Sequence, residues 1–279
     1  MSADETPTIC PEIIDYYTNG YEEADRFAPG TASGASMLEF TRIQELLRAH
    51  LPQPPASVLD VGGGPGAHAR WLTADGHTVH LIDPVPKHVD QGRAVGIDAV
   101  LGDARRLNCP SHTYDAVLLL GPLYHLTQRA ERVLALKEAV RVARPGALIA
   151  VAAMNRYSRF LDQAAKHALT DPAVCGDVVG TTDSGICTSS GGFTTSYFHT
   201  VDELRTELTD AGLFDAVIRG AEGPGYWIIK GIEQHNCTRI STSSQEFSSA
   251  LAAARLADAR PALLAASAHL LAIAHAPQA

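Results

Sequence analysis

Several features that mark common protein classes are scarce or missing in this chain of 279 residues. Its five cysteines are an odd number and form no Cys-x-x-Cys pair, so neither a disulfide framework nor a structural zinc site is expected. No apolar run reaches the roughly 18 residues that a membrane span needs. Charged residues make up only 19% and hydrophobic residues 46%, a balance that predicts a folded chain with a sizeable core.

Basic charge is also in short supply. The net charge is −9, and no run of Lys or Arg marks a basic groove. Because such a surface repels phosphate backbones, we expect a small-molecule substrate and no nucleic acid as a partner. The stretch Met1–Cys10 is polar and acidic, unlike a signal peptide, so we expect a cytoplasmic protein with no membrane partner. The sequence is compatible with a homodimer.

What the sequence does contain is an alternation of short apolar strands and helices. Strands are predicted at Ser57–Val61, His77–Ile82, Ala99–Leu101, Asp115–Leu120 and Ala147–Met154. Helices are predicted at Ser36–His50, Ala67–Asp75, Lys87–Val95 and Ala130–Ala143, the last of them stopped by Arg144-Pro145-Gly146. Each strand ends in a tight turn, so the pattern predicts an α/β fold with a doubly wound, mostly parallel sheet and helices on both faces.

The alternation suggests four parts. Residues 1–50 are expected to form an N-terminal helical lid and residues 51–154 the ligand-binding core. Residues 155–192, with one helix and a Gly/Thr/Ser-rich loop, are expected to be an inserted cap, since simple connections are shorter. Residues 193–279 are expected to complete the sheet, with strands at Phe193–Phe198, Phe214–Arg219 and His269–Ala274 and helices at Val201–Ala211 and over 240–265.

A glycine-rich turn follows the first strand of this core. In Val58-Leu59-Asp60-Val61-Gly62-Gly63-Gly64-Pro65-Gly66, glycines recur at Gly62, Gly64 and Gly66, where a backbone without Cβ atoms can lie against a ligand. The next helix points its free N–H groups at the same place. Dinucleotide sites use such loops too, and Gly62, Gly64 and Ala67 loosely satisfy their pattern.

Three acidic side chains favour a different ligand. Asp60 precedes the glycines, where a carboxylate would crowd a pyrophosphate but suits a cationic ammonium group. Asp83, before Pro84, ends the second strand and is placed to accept both ribose hydroxyls. Gly102-Asp103-Ala104 follows the third strand and offers a carboxylate and backbone N–H to an adenine edge. A cationic, phosphate-free adenosine ligand fits all three, and S-adenosylmethionine is such a ligand.

These motifs together resemble the class I S-adenosylmethionine-dependent methyltransferases. The matching segments are Asp60–Gly66, Asp83, Asp103-Ala104, Tyr114-Asp115-Ala116-Val117, Leu120-Gly121 and Arg141–Gly146. The resemblance implies a seven-stranded Rossmann-like sheet, methyl transfer by in-line displacement, and contact of Leu120 and Gly121 with the methionine moiety. Two alternatives stay open at this point: an NAD(P)-dependent oxidoreductase, and a protein that binds S-adenosylmethionine without turnover.

Narrower similarities and gaps concern the acceptor. Gly121–Leu126 and Glu222–Gly225 resemble an actinobacterial branch of small-molecule methyltransferases, some of which tailor secondary metabolites, indole carbons among their acceptors. No residue here requires indole. The Asn/Asp-Pro-Pro-Tyr/Phe tetrapeptide of exocyclic-amine nucleic-acid methyltransferases is missing, as is a Pro-Cys nucleophile. No acidic cluster at the end of the Asp115 strand indicates Mg²⁺, and no metal site is expected.

Two residues are candidates for catalysis. His125 lies just past the fourth strand, on the edge where such sheets bind ligands, and an imidazole near its usual pKa can act as a general base. Alternatively, it packs the following helix. Tyr197 lies where the cap rejoins the sheet and could bind the substrate or partner the histidine; the alternative is an interior tyrosine.

The remaining candidates are binding residues. Tyr17 is expected in a lid over the cofactor or, alternatively, in plain core. Arg26 and Arg42 are candidates for the cofactor carboxylate, although ion pairing explains each equally well. An apolar substrate pocket is expected to include Tyr124, Met154, Phe193, Tyr226 and Trp227.

Overall fold

The computed structural model describes residues 10–188 and 193–278. Its strands are β1 (Ser57–Val61), β2 (Thr78–Asp83), β3 (Asp98–Leu101), β4 (Tyr114–Leu119), β5 (Ala143–Met154), β6 (Ile186–Cys187), β7 (Ser196–Tyr197), β8 (Val217–Gly220) and β9 (His269–His275). Its helices are α1 (Pro11–Asp15), α2 (Gly34–Arg48), α3 (Ala67–Ala74), α4 (Pro86–Ala94), α5 (Arg129–Val142), α6 (Ser158–Ala165), α7 (Pro172–Ser184), α8 (Val201–Asp210), α9 (Gly225–Asn236), α10 (Gln245–Ala257) and α11 (Pro261–Leu264).

Seven strands form one sheet in the order β3-β2-β1-β4-β5-β9-β8. Its first five strands are parallel, and β9 runs antiparallel to both β5 and β8. This confirms the doubly wound, mostly parallel fold. The chain leaves β1 for β2 on one side and returns to β4 on the other, and such a switch point opens a crevice at the carboxyl ends of the strands.

Side chains of the sheet alternate between two apolar layers. On β1, Leu59 and Val61 pack with Leu136 of α5 and Leu204 of α8, while Val58 faces the opposite layer. That second layer contains Leu47 and Ile43 of α2, Leu72 of α3 and Val89 of α4. Because successive residues of a strand point to opposite faces, this pattern sends Asp60 to the second layer.

The N-terminal segment, residues 10–33, crosses the carboxyl edge of this sheet. It contains α1, a π-helical turn at Tyr16–Gly20 and a short 3₁₀ turn at Glu23–Asp25. Ile13 and Tyr17 pack on Val85, which follows β2. Tyr16 also meets Phe193 edge to face, with ring centroids 5.6 Å apart. The segment therefore covers the crevice.

Several elements differ from the expectations. The stretch expected to hold one helix contains two, α6 and α7, and its residues 189–192 lie outside the described part. The strand expected at Phe193–Phe198 is only the two-residue β7, which pairs with β6. Helix α9 was not expected at all, because Pro224 and Gly225 look like a turn. Proline is tolerated at the start of a helix, and Gly225 lets α9 approach the Ala250 carbonyl of α10.

Strand β5 also begins earlier than expected. Arg144-Pro145-Gly146 was expected to stop a helix ahead of the strand, yet β5 already pairs with β4 at Ala143. A register shift between Tyr114 and Ala116 absorbs the extra residues, as a β-bulge does. Among the described residues, no helix is long and apolar enough to cross a membrane.

Candidate active site

A cavity of about 240 Å³ lies where β1, β2 and β4 end, beneath the N-terminal segment. The glycine-rich turn forms its floor and needs glycine for two reasons. Gly62 has φ +69°, and a Cβ there would lie 2.9 Å from Pro122 Cδ. A Cβ on Gly63 would lie 2.6 Å from Asp60 Oδ2. The turn thus folds tightly around the Asp60 carboxylate.

Asp60 is the most unusual group on the cavity wall. It is 0% exposed, and neither carboxylate oxygen has a hydrogen-bond partner among the described residues. Burial, reinforced by the charge of Asp83, raises the pKa of Asp60 to about 7. A buried carboxylate without donors is costly unless a cation or donor meets it. The site therefore suits a ligand that brings a positively charged group.

Asp83 is already well supplied with donors. Its Oδ2 accepts from Gly64 N at 2.8 Å, and its Oδ1 accepts from Val85 N at 2.9 Å and from His88 Nδ1 at 3.0 Å. About one of the four lone-pair positions of a carboxylate is left for a ligand. His88 Nε2 is buried, lines the same cavity and has no partner in the described chain, so it offers a second acceptor beside Asp83.

Asp103 is held by a neighbouring arginine. Its carboxylate accepts from Arg105 Nε at 3.1 and 3.2 Å and from Arg105 Nη2 at 2.7 Å, and Arg105 also pairs with Glu131. Gly102, Asp103, Ala104 and Arg105 all line the cavity. This end of the site is therefore a fixed, neutralised wall, with backbone as well as side-chain groups for a ligand edge.

His125 is hydrogen-bonded through both ring nitrogens. The Tyr17 hydroxyl lies 3.0 Å from Nε2, and Thr194 Oγ1 lies 3.2 Å from Nδ1. The Thr194 hydroxyl also donates to the Thr195 carbonyl at 3.3 Å, so the network fits an imidazole that accepts at Nε2 and donates at Nδ1. Burial, with the charge of His88, lowers the pKa of His125 to about 3. The ring is neutral at pH 7 and its lone pair is engaged by Tyr17.

The opposite end of the cavity holds an arginine between two carboxylates. Arg26 Nη2 donates to both Glu39 oxygens, at 2.7 and 2.8 Å, and Nη1 lies 3.4 Å from Glu23 Oε1. Burial raises the pKa of Glu23 despite Arg26. Arg26 is therefore available to a ligand carboxylate only in competition with Glu39 and Glu23.

Most residues expected to bind the cofactor lie on this wall. They are Tyr17, Arg26, Asp60, Gly62, Gly64, Asp83, Pro84, Gly102, Asp103, Ala104, Leu120 and Gly121, and the catalytic and substrate candidates His125 and Tyr124 join them. Gly66 lies behind the turn as the N-cap of α3, in a left-handed conformation. Phe193 stacks near His125, with centroids 5.7 Å apart, but does not line the cavity.

Other candidates lie elsewhere. Tyr197 faces a separate surface depression and covers Arg132, whose guanidinium carbon is 3.6 Å from the ring centroid, so it does not meet His125. Arg42 donates to Ala221 O and to Asp258 and does not line the cavity. Trp227 Nε1 donates to Ala266 O at 2.8 Å, a structural bond. Tyr197 lies in β7, which is shorter than the predicted strand, and Trp227 lies in α9, which was not predicted.

Met154 and Tyr226 lie just behind the wall, next to His269. Met154 pairs with His269 in the sheet, and the Tyr226 ring centroid is 6.4 Å from that imidazole. The wall itself includes three residues that the sequence did not single out: Glu39, His88 and His269. His88 could have been found, because it lies five residues after Asp83 in the first turn of the next helix. His269 depends on the register of an antiparallel strand, which no local pattern reveals.

Comparisons with known proteins agree with this geometry. Residues 58–146 match the family described as Methyltransferase domain. Over 111 residues, the chain is 32% identical to an uncharacterized methyltransferase of Mycobacterium tuberculosis, a match covering 39% of this chain and 44% of that protein. It is 27% identical over 124 residues to the human protein named probable tRNA methyltransferase 9B, covering 44% of this chain and 26% of that one. The chain thus spans less than half the length of either relative.

A solved structure extends the likeness over nearly the whole chain. An S-adenosylmethionine-dependent methyltransferase of Thermotoga maritima, described as a possible histamine N-methyltransferase, superposes with a TM-score of 0.59 at 14% identity. The match covers 95% of this chain and 98% of that one. At this identity the likeness concerns the fold.

Proposed function

We propose that the protein transfers a methyl group from S-adenosylmethionine to a small organic acceptor, because residues 58–146 match the family described as Methyltransferase domain. One observation carries the proposal: the buried Asp60 carboxylate has no hydrogen-bond partner among residues 10–188 and 193–278, and it lines the cavity beside the glycine-rich turn. The amino acid part of S-adenosylmethionine carries an ammonium group, which can serve as the missing partner of this carboxylate. A pyrophosphate would place negative charge there instead.

The residues present fit the rest of this cofactor. Asp83 and His88 would accept from the ribose hydroxyls, and Gly102–Ala104 would meet the adenine edge. When bound, the sulfonium supplies an electrophilic methyl group with a good leaving group. The chain therefore works mainly by alignment, which can contribute about 7–11 kcal/mol to lowering a barrier.

Three observations support a small acceptor. The cavity, about 240 Å³, is below the roughly 300–1,000 Å³ that is common for ligand sites, so little room remains beside a bound cofactor. The N-terminal segment closes over it, and the net charge of −9 disfavours a polynucleotide. We further propose that the acceptor is a secondary metabolite, because the Gly121–Leu126 and Glu222–Gly225 motifs resemble those of methyltransferases that tailor such compounds.

His125 is proposed to position rather than to deprotonate the acceptor. Its Nε2 accepts from Tyr17, and an imidazole with a pKa of about 3 is a weak base. The Tyr17–His125–Thr194 chain instead ties the N-terminal segment to the turn after β4. These hydrogen bonds hold the N-terminal segment in place over the cavity.

Calorimetry and isotope transfer test the proposal together. We expect S-adenosylhomocysteine to bind purified protein and NADH not to bind. With trideuteromethyl-labelled S-adenosylmethionine, mass spectrometry should show a gain of label in a panel of amines, phenols and indoles, and none in total tRNA. Tight NADH binding without S-adenosylhomocysteine binding would show an oxidoreductase. Cofactor binding with labelled tRNA alone would overturn the small acceptor, and binding with no labelled product would favour a protein without turnover.

A further inference from the structure

A second histidine on the cavity wall is oriented by a buried carboxylate. His269 begins β9, lines the cavity beside Arg26 and Glu39, and is 15% exposed through its side chain. Its Nδ1 donates to Glu222 Oε1 at 2.5 Å. Its Nε2 has no hydrogen-bond partner in the described ranges and is not among the fully buried atoms that lack one. The ring therefore lies on the cavity wall with its Nε2 free of hydrogen bonds to the described residues.

Glu222 is itself held firmly. It is 0% exposed, and its Oε2 accepts from Ser267 Oγ at 2.8 Å and from the backbone N of His269 at 3.0 Å. A carboxylate fixed in this way holds the imidazole in the tautomer with Nδ1 protonated and Nε2 free to accept a proton. His125, by contrast, has its accepting nitrogen engaged by Tyr17.

We propose that His269, oriented by Glu222, is the general base for the acceptor in the methyl transfer, and that the acceptor group is an N–H or O–H. This rests on the proposed function. The acceptor nitrogen or oxygen forms its bond to the methyl carbon as the methyl–sulfur bond breaks and its electron pair moves to sulfur. The proton of the acceptor passes to Nε2 of His269. Glu222 stabilises the imidazolium that results, so it is a positioning residue.

The charges around His269 favour this role. Burial works against its protonation, but the carboxylates of Glu39 and Glu222 outweigh both burial and the opposing charge of Arg26, so the pKa of His269 is raised. Tyr226 of α9 faces the ring as well, and burial raises the pKa of its phenol, so it adds no charge at neutral pH. An imidazole with a raised pKa is a stronger base than His125.

A metal ion is a weaker interpretation of the same residues. Atoms of Glu39, Glu222 and His269 lie within 4.8 Å of one another. However, both Glu39 oxygens are bound by Arg26 at 2.7 and 2.8 Å, so a cation here would sit beside a fixed positive charge. The same geometry leaves Nε2 free for proton transfer.

The first test needs no acceptor. In protein labelled with ¹⁵N-histidine and saturated with S-adenosylhomocysteine, NMR should show His269 neutral above its pKa with the proton on Nδ1. Glu222→Gln should lower that pKa, since it removes the nearest negative charge. A neutral His269 with its proton on Nε2, or a pKa that Glu222→Gln does not change, overturns the proposal.

The second test measures rates with whichever amine or phenol of the panel is methylated. His269→Gln should keep S-adenosylhomocysteine affinity within about twofold and lower the single-turnover rate about 10²–10⁴-fold. Glu222→Gln should move the rising limb of the pH–rate profile to lower pH. His275→Gln is the matched control, because His275 ends the same strand, pairs with Asp215 at 2.8 Å and is exposed. A normal rate in a folded His269→Gln protein overturns the base role, whereas loss of cofactor binding by the unaltered protein overturns the proposed function instead.

Discussion

At the scale of single residues, the site contains buried polar atoms that have no hydrogen-bond partner in the described part of the chain. They include both carboxylate oxygens of Asp60 and Nε2 of His88. Each such group raises the free energy of the unliganded fold, and a complementary ligand removes that cost. Asp60, which the sequence predicts to bind the cofactor, lies on the cavity wall because it stands at the carboxyl end of β1, next to the glycine-rich turn. The sequence did not predict that the Asp83 carboxylate would already accept three hydrogen bonds from the protein.

The first prediction concerns Asp60 and pH. Its pKa is about 7 in the unliganded protein, and only the ionised form attracts an ammonium group. Affinity for S-adenosylhomocysteine should therefore fall as the pH falls, by about tenfold between pH 8 and pH 6. Calorimetry in two buffers of different ionisation enthalpy should show proton release at pH 6.

Asp60→Asn is the control for this pH effect. The amide cannot ionise, so the variant should bind S-adenosylhomocysteine at least about tenfold more weakly at pH 8, a loss typical of one charged contact. Its affinity should be nearly the same at the two pH values. A pH dependence that survives in Asp60→Asn would assign the titration to another group.

The second prediction distinguishes the role of His125 from the role proposed for His269. His125→Ala removes the anchor of Tyr17, so the single-turnover rate should fall while S-adenosylhomocysteine affinity changes little. The pH–rate profile between pH 5 and 8 should keep its shape, because the pKa of His125 is about 3 and the ring does not titrate there. Disappearance of a titrating limb in this variant would restore His125 as the base.

At the scale of elements, buried ion pairs hold the helices that frame the sheet. Arg132 of α5 donates to both oxygens of Glu207 of α8, at 2.6, 3.0 and 3.1 Å, and both side chains are 2% exposed. His199 Nε2 donates to the same carboxylate at 3.2 Å. Tyr197 covers Arg132, which gives this tyrosine a structural place in the molecule.

The third prediction is that Arg132→Ala lowers the free energy of unfolding by about 3–5 kcal/mol, because it leaves the buried Glu207 carboxylate without its arginine partner. Urea unfolding measures the loss. Arg129→Ala, on the same helix, breaks an exposed pair with Asp210 and should leave the unfolding midpoint nearly unchanged. Equal losses in the two variants would mean that burial of the Arg132 pair adds nothing.

The strands and helices of the core could be predicted because each is bounded by a local signal, such as the glycines after β1 or Pro86 at the start of α4. β1 matches its predicted bounds and α5 differs by one residue at each end. The cavity wall beyond the core could not be predicted in the same way. Glu39, Glu222 and His269 meet only through tertiary packing of α2 and the antiparallel β9, and no sequence period brings them together.

At the scale of the whole molecule, the N-terminal segment is proposed to act as a lid. It contributes Ile13, Tyr17, Glu23 and Arg26 to the cavity wall, so a movement of this segment would widen access to the interior. Thr195 N also donates to Glu12 at 2.8 Å, tying the segment to the strand region beside β7.

The fourth prediction follows from this arrangement. Hydrogen exchange of peptides covering residues 10–28 should slow when S-adenosylhomocysteine is added, because the ligand fills the cavity beneath them. Peptides from α10, which pack on α2 and α9 away from the cavity, serve as the internal reference. Equal protection of both regions, or of neither, would mean that the segment does not gate the site.

The wall of the cavity is assembled from separate stretches of chain. The glycine turn, Asp60, Asp83 and Asp103 all belong to residues 58–146, whereas Arg26 and Glu39 come before this stretch and His269 after it. Glu222, which orients His269 from behind the wall, also comes after it. Substitutions in the outer stretches can therefore change which acceptor is used while the donor half stays intact. A chimera that keeps residues 58–146 and exchanges the flanks would inherit the acceptor preference of the flanks, and new specificities can arise without loss of the methyl donor.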